Sequence, residues 1–123
     1  MPKSIVAGIR TGELFEVAAP ARVAASLAGE LGLRLVLAHV ANDPPVFPYG
    51  DRWSREVRRR RLHQRGTDLL RAVAAEIGEP TAEKRIALSG FLRGGPAECL
   101  DAICRAERAE LVVAGPPAVD TSH

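Results

Sequence analysis

The chain has 123 residues, of which 46% are hydrophobic and 26% charged, and its formal net charge is +2. This length predicts one domain with a buried core, and the composition is ordinary for a soluble globular protein. No apolar run reaches the roughly 18 residues that a membrane-spanning helix needs, and no early run is long enough for a signal peptide. We therefore expect a cytoplasmic protein without a membrane partner, and the small net charge by itself implies no nucleic-acid partner.

The only two cysteines, Cys99 and Cys104, lie five residues apart. On a helix this spacing separates them by roughly 140° around the axis, so the two thiols point apart. The spacing argues against a disulfide and matches neither a redox nor a zinc motif. The three histidines, His39, His63 and His123, are too scattered to form a metal site.

The first two predicted elements are a strand and a helix. Residues 4–9 form a short apolar run, which is typical of a strand buried on both faces. A helix is predicted from about Val17 to Leu31, with Pro20 in its first turn and Gly32 at its end, where a left-handed conformation suits glycine. Its predicted buried stripe consists of Val23, Ala24, Leu27 and Leu31.

A second apolar run at residues 33–40 predicts another buried strand. A long helix is predicted from about Ser54 to Ile77, in which Gly66 either bends the helix or allows close packing. The remaining predicted elements are a weaker third strand at 84–89, a third helix that begins at Pro96, and a fourth strand at 111–114.

This alternation of strands and helices predicts an α/β fold, with a parallel sheet, right-handed crossovers and helices on the sheet's faces. In such sheets, ligands bind beyond the carboxyl ends of the strands, where the strand order reverses. The segments expected at that edge are 8–11, 39–42, 89–90 and 114–117.

Three segments of the chain resemble the universal stress protein family. GGPAE at 94–98, followed after ten residues by AELVVAG at 109–115, resembles the family signature GDPAE…ADLIVVG without a gap. LVLAHV at 35–40 resembles the family's second strand, which commonly ends in LLHV, and residues 4–13 resemble its first strand and turn. The resemblance implies a Rossmann-like parallel sheet of about four strands in the order 3-2-1-4, with helices on both faces.

By this resemblance, residues 1–115 form the stress-protein-like domain and residues 116–123 a short polar tail. Some members of the family bind ATP and others do not. Those that do have an aspartate just after the first strand and a glycine loop, G-x2-G-x9-G-[ST], after the fourth. The corresponding cofactor-binding positions in this chain are Gly8, Ile9, Arg10, Val40, Ala114 and Gly115.

The chain departs from the ATP-binding pattern at two places. Arg10 occupies the aspartate position, and Ala118 replaces the second glycine of the loop, whose third glycine would lie beyond the last residue. Pro116 and Pro117 have no N–H with which to hold a phosphate. An arginine also cannot accept hydrogen bonds from a ribose as a carboxylate does. We therefore expect no cofactor, and no ATP binding by the family's usual mode.

Two functions follow as expectations. The first is a non-ATP-binding, dimeric module that acts in the stress response through an unidentified protein partner. The alternative is a protein that binds a small ligand or an adenine nucleotide in the strand-end crevice near Arg10 and Gly115. We expect no enzyme, because the sequence offers no evident general base, no metal-binding carboxylate pair and no phosphate loop.

The expected dimer is a homodimer. The family's fifth strand, an edge strand often used for dimer contact, would lie beyond the last residue of this chain. The fourth strand, 111–114, would then be an exposed edge, short and blocked from extension by Pro116 and Pro117. We expect the homodimer to use either this edge or a different surface.

Two further features have competing interpretations. Residues 51–65 carry seven arginines and two acidic residues, a net charge of +5. The run from Arg58 to Arg61 would suit nucleic acid, an acidic partner or a phosphate, but we favour a solvated helix face whose arginine stems cover apolar surface. His39 ends a buried strand, and we interpret it as structural rather than as a ligand contact.

Overall fold

A computed structural model describes residues 2–43, 52–90 and 94–115. These ranges contain four strands and four helices, and the predicted tail at 116–123 lies outside them. The elements are β1 Ser4–Gly8, α1 Leu14–Val17, α2 Ala19–Leu31, β2 Arg34–Asn42, α3 Arg52–Glu76, β3 Glu83–Ser89, α4 Pro96–Ala106 and β4 Ala109–Ala114, with α1 and α2 both between β1 and β2.

The strands form one parallel sheet in the order β3-β2-β1-β4, which confirms the predicted order. Along the chain, β2 pairs with one side of β1 and β3 pairs with the far side of β2, whereas β4 pairs with the other side of β1. The direction of winding therefore reverses between β1 and β4.

Helices cover both faces of the sheet, as predicted. Alternate side chains of a strand point to opposite faces, so Ile5 and Ala7 of β1 pack with α2 and α3, whereas Val6 points to α4. Val36 of β2 lies opposite Val6 in the parallel register and joins the α4 side. The larger of the two cores is the one between the sheet and α2 with α3.

The first predicted helix is two helices. It begins three residues earlier than expected, as α1 at Leu14, and the chain turns at Ala18 before α2 starts. Pro20 lies in the first turn of α2, where its missing N–H breaks no helical hydrogen bond. Gly32 ends α2 in the left-handed region at φ 67°, and its N–H donates to the carbonyl of Ala28. The predicted positions of proline and glycine are confirmed.

The predicted buried stripe of α2 is wrong at two of its four positions. The side chains of Val23 and Leu31 are 52% and 55% exposed, and the buried stripe is built from Ala21, Ala24 and Ala28. The helix lies over β1 and β4, close to the edge of the sheet, so alanines face the strands. The side with Val23 overhangs Val113 of β4, the last described strand.

Gly66 allows α3 to pack closely on the sheet, which is one of its two predicted roles. A Cβ atom at this position would lie 3.1 Å from Cδ2 of His39 and 3.2 Å from Cδ1 of Ile86. Both distances are shorter than ordinary carbon contacts, so a side chain here would push α3 away from β2 and β3.

An ion cluster closes the amino end of the sheet, opposite the predicted site. Glu107, 6% exposed, accepts hydrogen bonds from the guanidinium groups of Arg34 and Arg85. Its backbone carbonyl accepts a third, at 2.7 Å, from the hydroxyl of buried Ser4. The turn after α4 is thereby tied to the start of β1 and β2.

Both cysteines are free. Cys99 is buried, and Cys104 is partly buried beside the α4-side core, where burial raises the pKa of its thiol. None of the helices in the described ranges has the combination of length and apolar character that a membrane crossing requires.

Candidate functional site

A cleft of about 470 Å³ opens at the carboxyl ends of β1 and β4, beside the amino end of α4. We call it the β1–β4 cleft. It lies where the strand order reverses, which is the place where open α/β sheets bind ligands. The cleft therefore lies at the carboxyl edge of the sheet, where the sequence predicted a ligand site.

All six positions predicted from the sequence line this one cleft. Gly8 lies opposite Ala114 in the parallel register of β1 and β4, which brings the first and last strands together. The residues gathered around the cleft are Gly8, Ile9, Arg10, Val40, Ala114 and Gly115. Their role in binding a ligand stays a prediction.

One wall of the cleft, contributed by α4, was not predicted from the sequence. Pro96, Ala97 and Leu100 line the cleft from the side facing the strand ends. A signal was present, because Pro96 begins a helix that follows β3, and such a helix starts at the carboxyl edge of a parallel sheet. The position of Pro96 in the sequence therefore indicates that the first turn of α4 lies at the candidate site.

The walls of the cleft are mostly apolar and approach one another closely. A Cβ atom at Gly8 would lie 3.4 Å from Cδ2 of Leu100 and 3.6 Å from Cβ of Ala114. Glycine therefore lets the Leu100 side chain lie against β1. With Val40 and Ala38 on the β2 side, the cleft has apolar contacts on both sides.

Arg10 supplies positive charge at the mouth of the cleft. Its guanidinium passes between two glycines, with Nε 4.0 Å from the position of a Cβ atom at Gly115 and Nη1 3.6 Å from that of a Cβ atom at Gly12. Within residues 2–43, 52–90 and 94–115, no acceptor forms a hydrogen bond or an ion pair with Arg10. The guanidinium therefore keeps its five donors for solvent or a ligand.

The amino end of α4 adds a second, weaker positive feature. Gly95 is its N-cap, and no side chain caps the first turn. The peptide dipoles of a helix place partial positive charge at this end. The carboxylate of Glu98 in the same turn lies close over Gly94, so it offsets part of that charge.

Two of the four consecutive arginines are bound to a buried carboxylate. Asp43, just after β2, is 8% exposed and accepts hydrogen bonds from Arg58 and Arg59 of α3. Burial by itself would raise the pKa of Asp43, but the hydrogen bonds and charges of the two arginines outweigh it and lower the pKa. Arg60 and Arg61 are exposed. Arg58 and Arg59 therefore have a structural role. It is neither the binding role nor the solvated helix face considered for the four arginines from the sequence.

His39 is buried, and a hydrogen bond fixes its ring. Its Nδ1 lies 2.7 Å from the backbone carbonyl oxygen of Ile9. This contact ties the end of β2 to the end of β1, so Nδ1 of His39 has a structural role. His63 is exposed, and His123 lies outside the described residues. Among the residues that the structure describes, no three His, Cys, Asp or Glu side chains are grouped to hold a metal ion.

No protein-family model matches the chain, and no curated protein matches it significantly. Solved structures do match. A universal stress family protein from Burkholderia pseudomallei is 19% identical, with a TM-score of 0.66 over 92% of this chain and 81% of that one. The universal stress protein UspA from Lactobacillus plantarum is 15% identical, with a TM-score of 0.64 over 100% and 84%.

A third structure, a universal stress protein in complex with cAMP, is 14% identical, with a TM-score of 0.56 over 92% of this chain and 76% of that one. Identities this low establish a common fold without establishing a common ligand. The sheet order, the helices on both faces and these similarities agree. The chain has the fold of the universal stress proteins.

Proposed function

We propose that this chain is a universal-stress-type protein that binds a small anionic ligand in the β1–β4 cleft. The observation that supports the proposal is the convergence of all six predicted positions on one cleft of about 470 Å³. That volume lies within the range of about 300–1,000 Å³ that is typical of ligand pockets. The proposal contains no catalytic step, and we place the protein in the cytoplasm as a stress-response component.

The charge at the cleft favours a ligand with a single negative charge. Arg10 is a guanidinium without a partner in the described ranges, and it stands beside apolar walls. One of the fold neighbours was solved with cAMP. A cyclic nucleotide combines a flat base with one phosphodiester charge, so one guanidinium can neutralise it. We therefore use cAMP as the test probe for this cleft.

ATP needs more hydrogen-bond donors than cAMP does. Three linked phosphates need several donors that converge on them, usually backbone N–H groups of a glycine-rich loop. After Gly115 this sequence continues with Pro116 and Pro117, which have no N–H, and Ala118 stands at the second glycine position. We propose that ATP binds more weakly than cAMP, if both are measured at the same ionic strength.

Isothermal titration calorimetry with cAMP and with ATP tests the proposal. We expect cAMP to bind, and Arg10→Ala to weaken that binding by about tenfold or more, the usual effect of a lost charged hydrogen bond. Arg61→Ala removes another exposed arginine, on α3, and serves as the matched control. Equal losses in the two variants would show non-specific charge attraction and would contradict the proposal.

A second candidate function is homodimerisation through the edge of β4. This strand pairs with β1 on one side, and no other described strand pairs with it. Its Leu111 and Val112 are 43% and 49% exposed and point to opposite faces of the sheet. An unpaired edge with apolar side chains on both faces favours pairing with another strand.

Light scattering with size-exclusion chromatography tests the dimer. Val112→Lys places a charge at the edge and should shift a dimer to monomers. Phe15→Lys changes a more exposed apolar residue, on α1, and should leave the mass unchanged. A monomer mass for the unaltered protein at all concentrations would exclude this second function, and it would leave the ligand proposal intact.

A further inference from the structure

A second cavity of about 400 Å³ lies on the α3 side of the sheet, at the carboxyl ends of β1 and β2. We call it the His39 pocket. Its polar lining residues are Thr11, His39, Asn42 and Arg65, and its apolar wall includes Leu62 and Leu69 of α3. It adjoins the β1–β4 cleft, with which it shares Thr11 and Val40, but His39, Asn42 and Arg65 line only this pocket and not the cleft.

The chemistry of the pocket begins with the ring of His39. A carbonyl oxygen can only accept, so Nδ1 must donate its hydrogen to Ile9, and in the neutral ring Nε2 then carries a free lone pair. The Cδ2 edge of the ring is covered by Gly66 of α3. The part of the ring that remains for the pocket is the edge with Cε1 and Nε2.

The Nε2 atom has no partner within the described residues. The hydrogen bond to Ile9 is the only one that the His39 ring forms there. Yet no buried side-chain nitrogen or oxygen in these ranges lacks a partner. Nε2 must therefore be accessible, and the cavity that His39 lines is the space it reaches. A residue 93% buried thus presents a hydrogen-bond acceptor to a cavity.

Arg65 provides the complementary charge at the rim. It is exposed, and no carboxylate of the described ranges pairs with it. Its neighbours Arg58 and Arg59 on α3 are bound to Asp43, which leaves Arg65 as the arginine that lines this cavity. A guanidinium matches the geometry of a carboxylate, to which it can donate two parallel hydrogen bonds.

We infer that the His39 pocket binds a small carboxylate that also carries a hydroxyl group. The carboxylate pairs with Arg65, the hydroxyl donates its hydrogen to Nε2 of His39, and the apolar body of the ligand lies against Leu62 and Leu69. A metal ion is a poorer occupant, because no three His, Cys, Asp or Glu side chains in the described ranges converge here. The inference does not rest on the function proposed for the β1–β4 cleft.

The test uses 4-hydroxybenzoate as the probe, with benzoate and 4-hydroxybenzamide as matched compounds. Nitrogen-15 NMR of the histidine rings reports hydrogen bonding at Nε2 directly. We expect 4-hydroxybenzoate to shift the Nε2 signal of His39, and each matched compound to bind about tenfold more weakly because it lacks one of the two groups. No shift of the Nε2 signal at millimolar probe, or equal binding of all three compounds, would overturn the inference.

Three arginine variants locate the probe. Arg65→Gln should weaken 4-hydroxybenzoate binding by about tenfold or more, and it should leave folding unchanged because the residue is exposed. Arg61→Gln, on the same helix but outside the pocket, should leave binding unchanged. Arg10→Gln should also have no effect. Loss of binding in Arg10→Gln would place the probe in the β1–β4 cleft and would refute the His39 pocket as its site.

Discussion

The Arg58 guanidinium donates two hydrogen bonds to one oxygen of the Asp43 carboxylate, from Nε at 3.0 Å and from Nη2 at 2.7 Å. The carboxylate lies at the end of β2, and its backbone N–H donates to the carbonyl of Ser89 at the end of β3. The pair therefore joins α3 to the two strand ends on which it packs.

Replacing Asp43 should destabilise the protein. Asp43→Asn keeps the shape of the side chain but removes the charge that Arg58 and Arg59 share, so we expect a loss of about 2 kcal/mol in the free energy of unfolding. Urea unfolding followed by circular dichroism measures the loss. Asp101→Asn is the control, because its carboxylate is exposed and, among the residues that the structure describes, pairs with Arg105 one turn along α4. Equal effects of the two variants would contradict this account.

The same carboxylate predicts how stability depends on pH. The pKa of Asp43 is lowered in the folded protein from its ordinary value of 3.8, so the unfolded chain takes up this proton more readily. The stabilisation is thus fully present well above that value and is lost as the pH falls through the folded pKa. In acid unfolding below about pH 5, Asp43→Asn should lose stability less steeply than the unaltered protein. Parallel curves would count against the assignment.

Alanine substitutions at two helical glycines, Gly29 and Gly66, should change the melting temperature in opposite directions. A methyl group at Gly66 would lie 3.1 Å from the His39 ring, whereas the same group at Gly29 of α2 would meet nothing within 4 Å. Alanine is the better helix former by about 1 kcal/mol. We expect Gly29→Ala to raise the melting temperature and Gly66→Ala to lower it. A rise for both would show that α3 does not pack closely on His39.

Replacing Glu107 should destabilise the protein more than replacing Glu110, an exposed glutamate three residues later. Glu107→Gln weakens the bonds to Arg34 and Arg85 in a nearly buried site, so we expect a loss of about 2 kcal/mol in the free energy of unfolding. Glu110→Gln breaks one exposed pair with Lys3 and should cost less than about 1 kcal/mol. Chemical unfolding of the two variants makes the comparison. A smaller loss for Glu107→Gln than for Glu110→Gln would contradict it.

The topology was predictable because it depends on repeated local signals. Alternating apolar runs and helices, Pro20 at a helix start and Gly32 at a helix end each have a short-range physical cause, and all were found in the structure. The convergence of Gly8 and Ala114 followed from the parallel pairing of the first and last strands.

The exposure of some helix residues and the pairing of some charges depend on where a helix lies over the sheet. The periodicity of the sequence does not encode that position. Val23 fits a buried helical stripe by spacing, but it is exposed because α2 overhangs the edge strand β4. The bond between Asp43 and Arg58 depends on the rotation of α3 above β2. The run of four arginines from Arg58 to Arg61 gave no signal for which of them would reach the carboxylate.

Thr11 and Val40 line both the β1–β4 cleft and the His39 pocket, so the two cavities share a wall. A displacement of this wall when one cavity fills would change the shape of the other. Occupants of the two cavities would then influence each other's affinity, and by thermodynamic linkage the factor would be the same in both directions. In that case the two cavities at the strand ends of this small sheet would behave as linked binding sites.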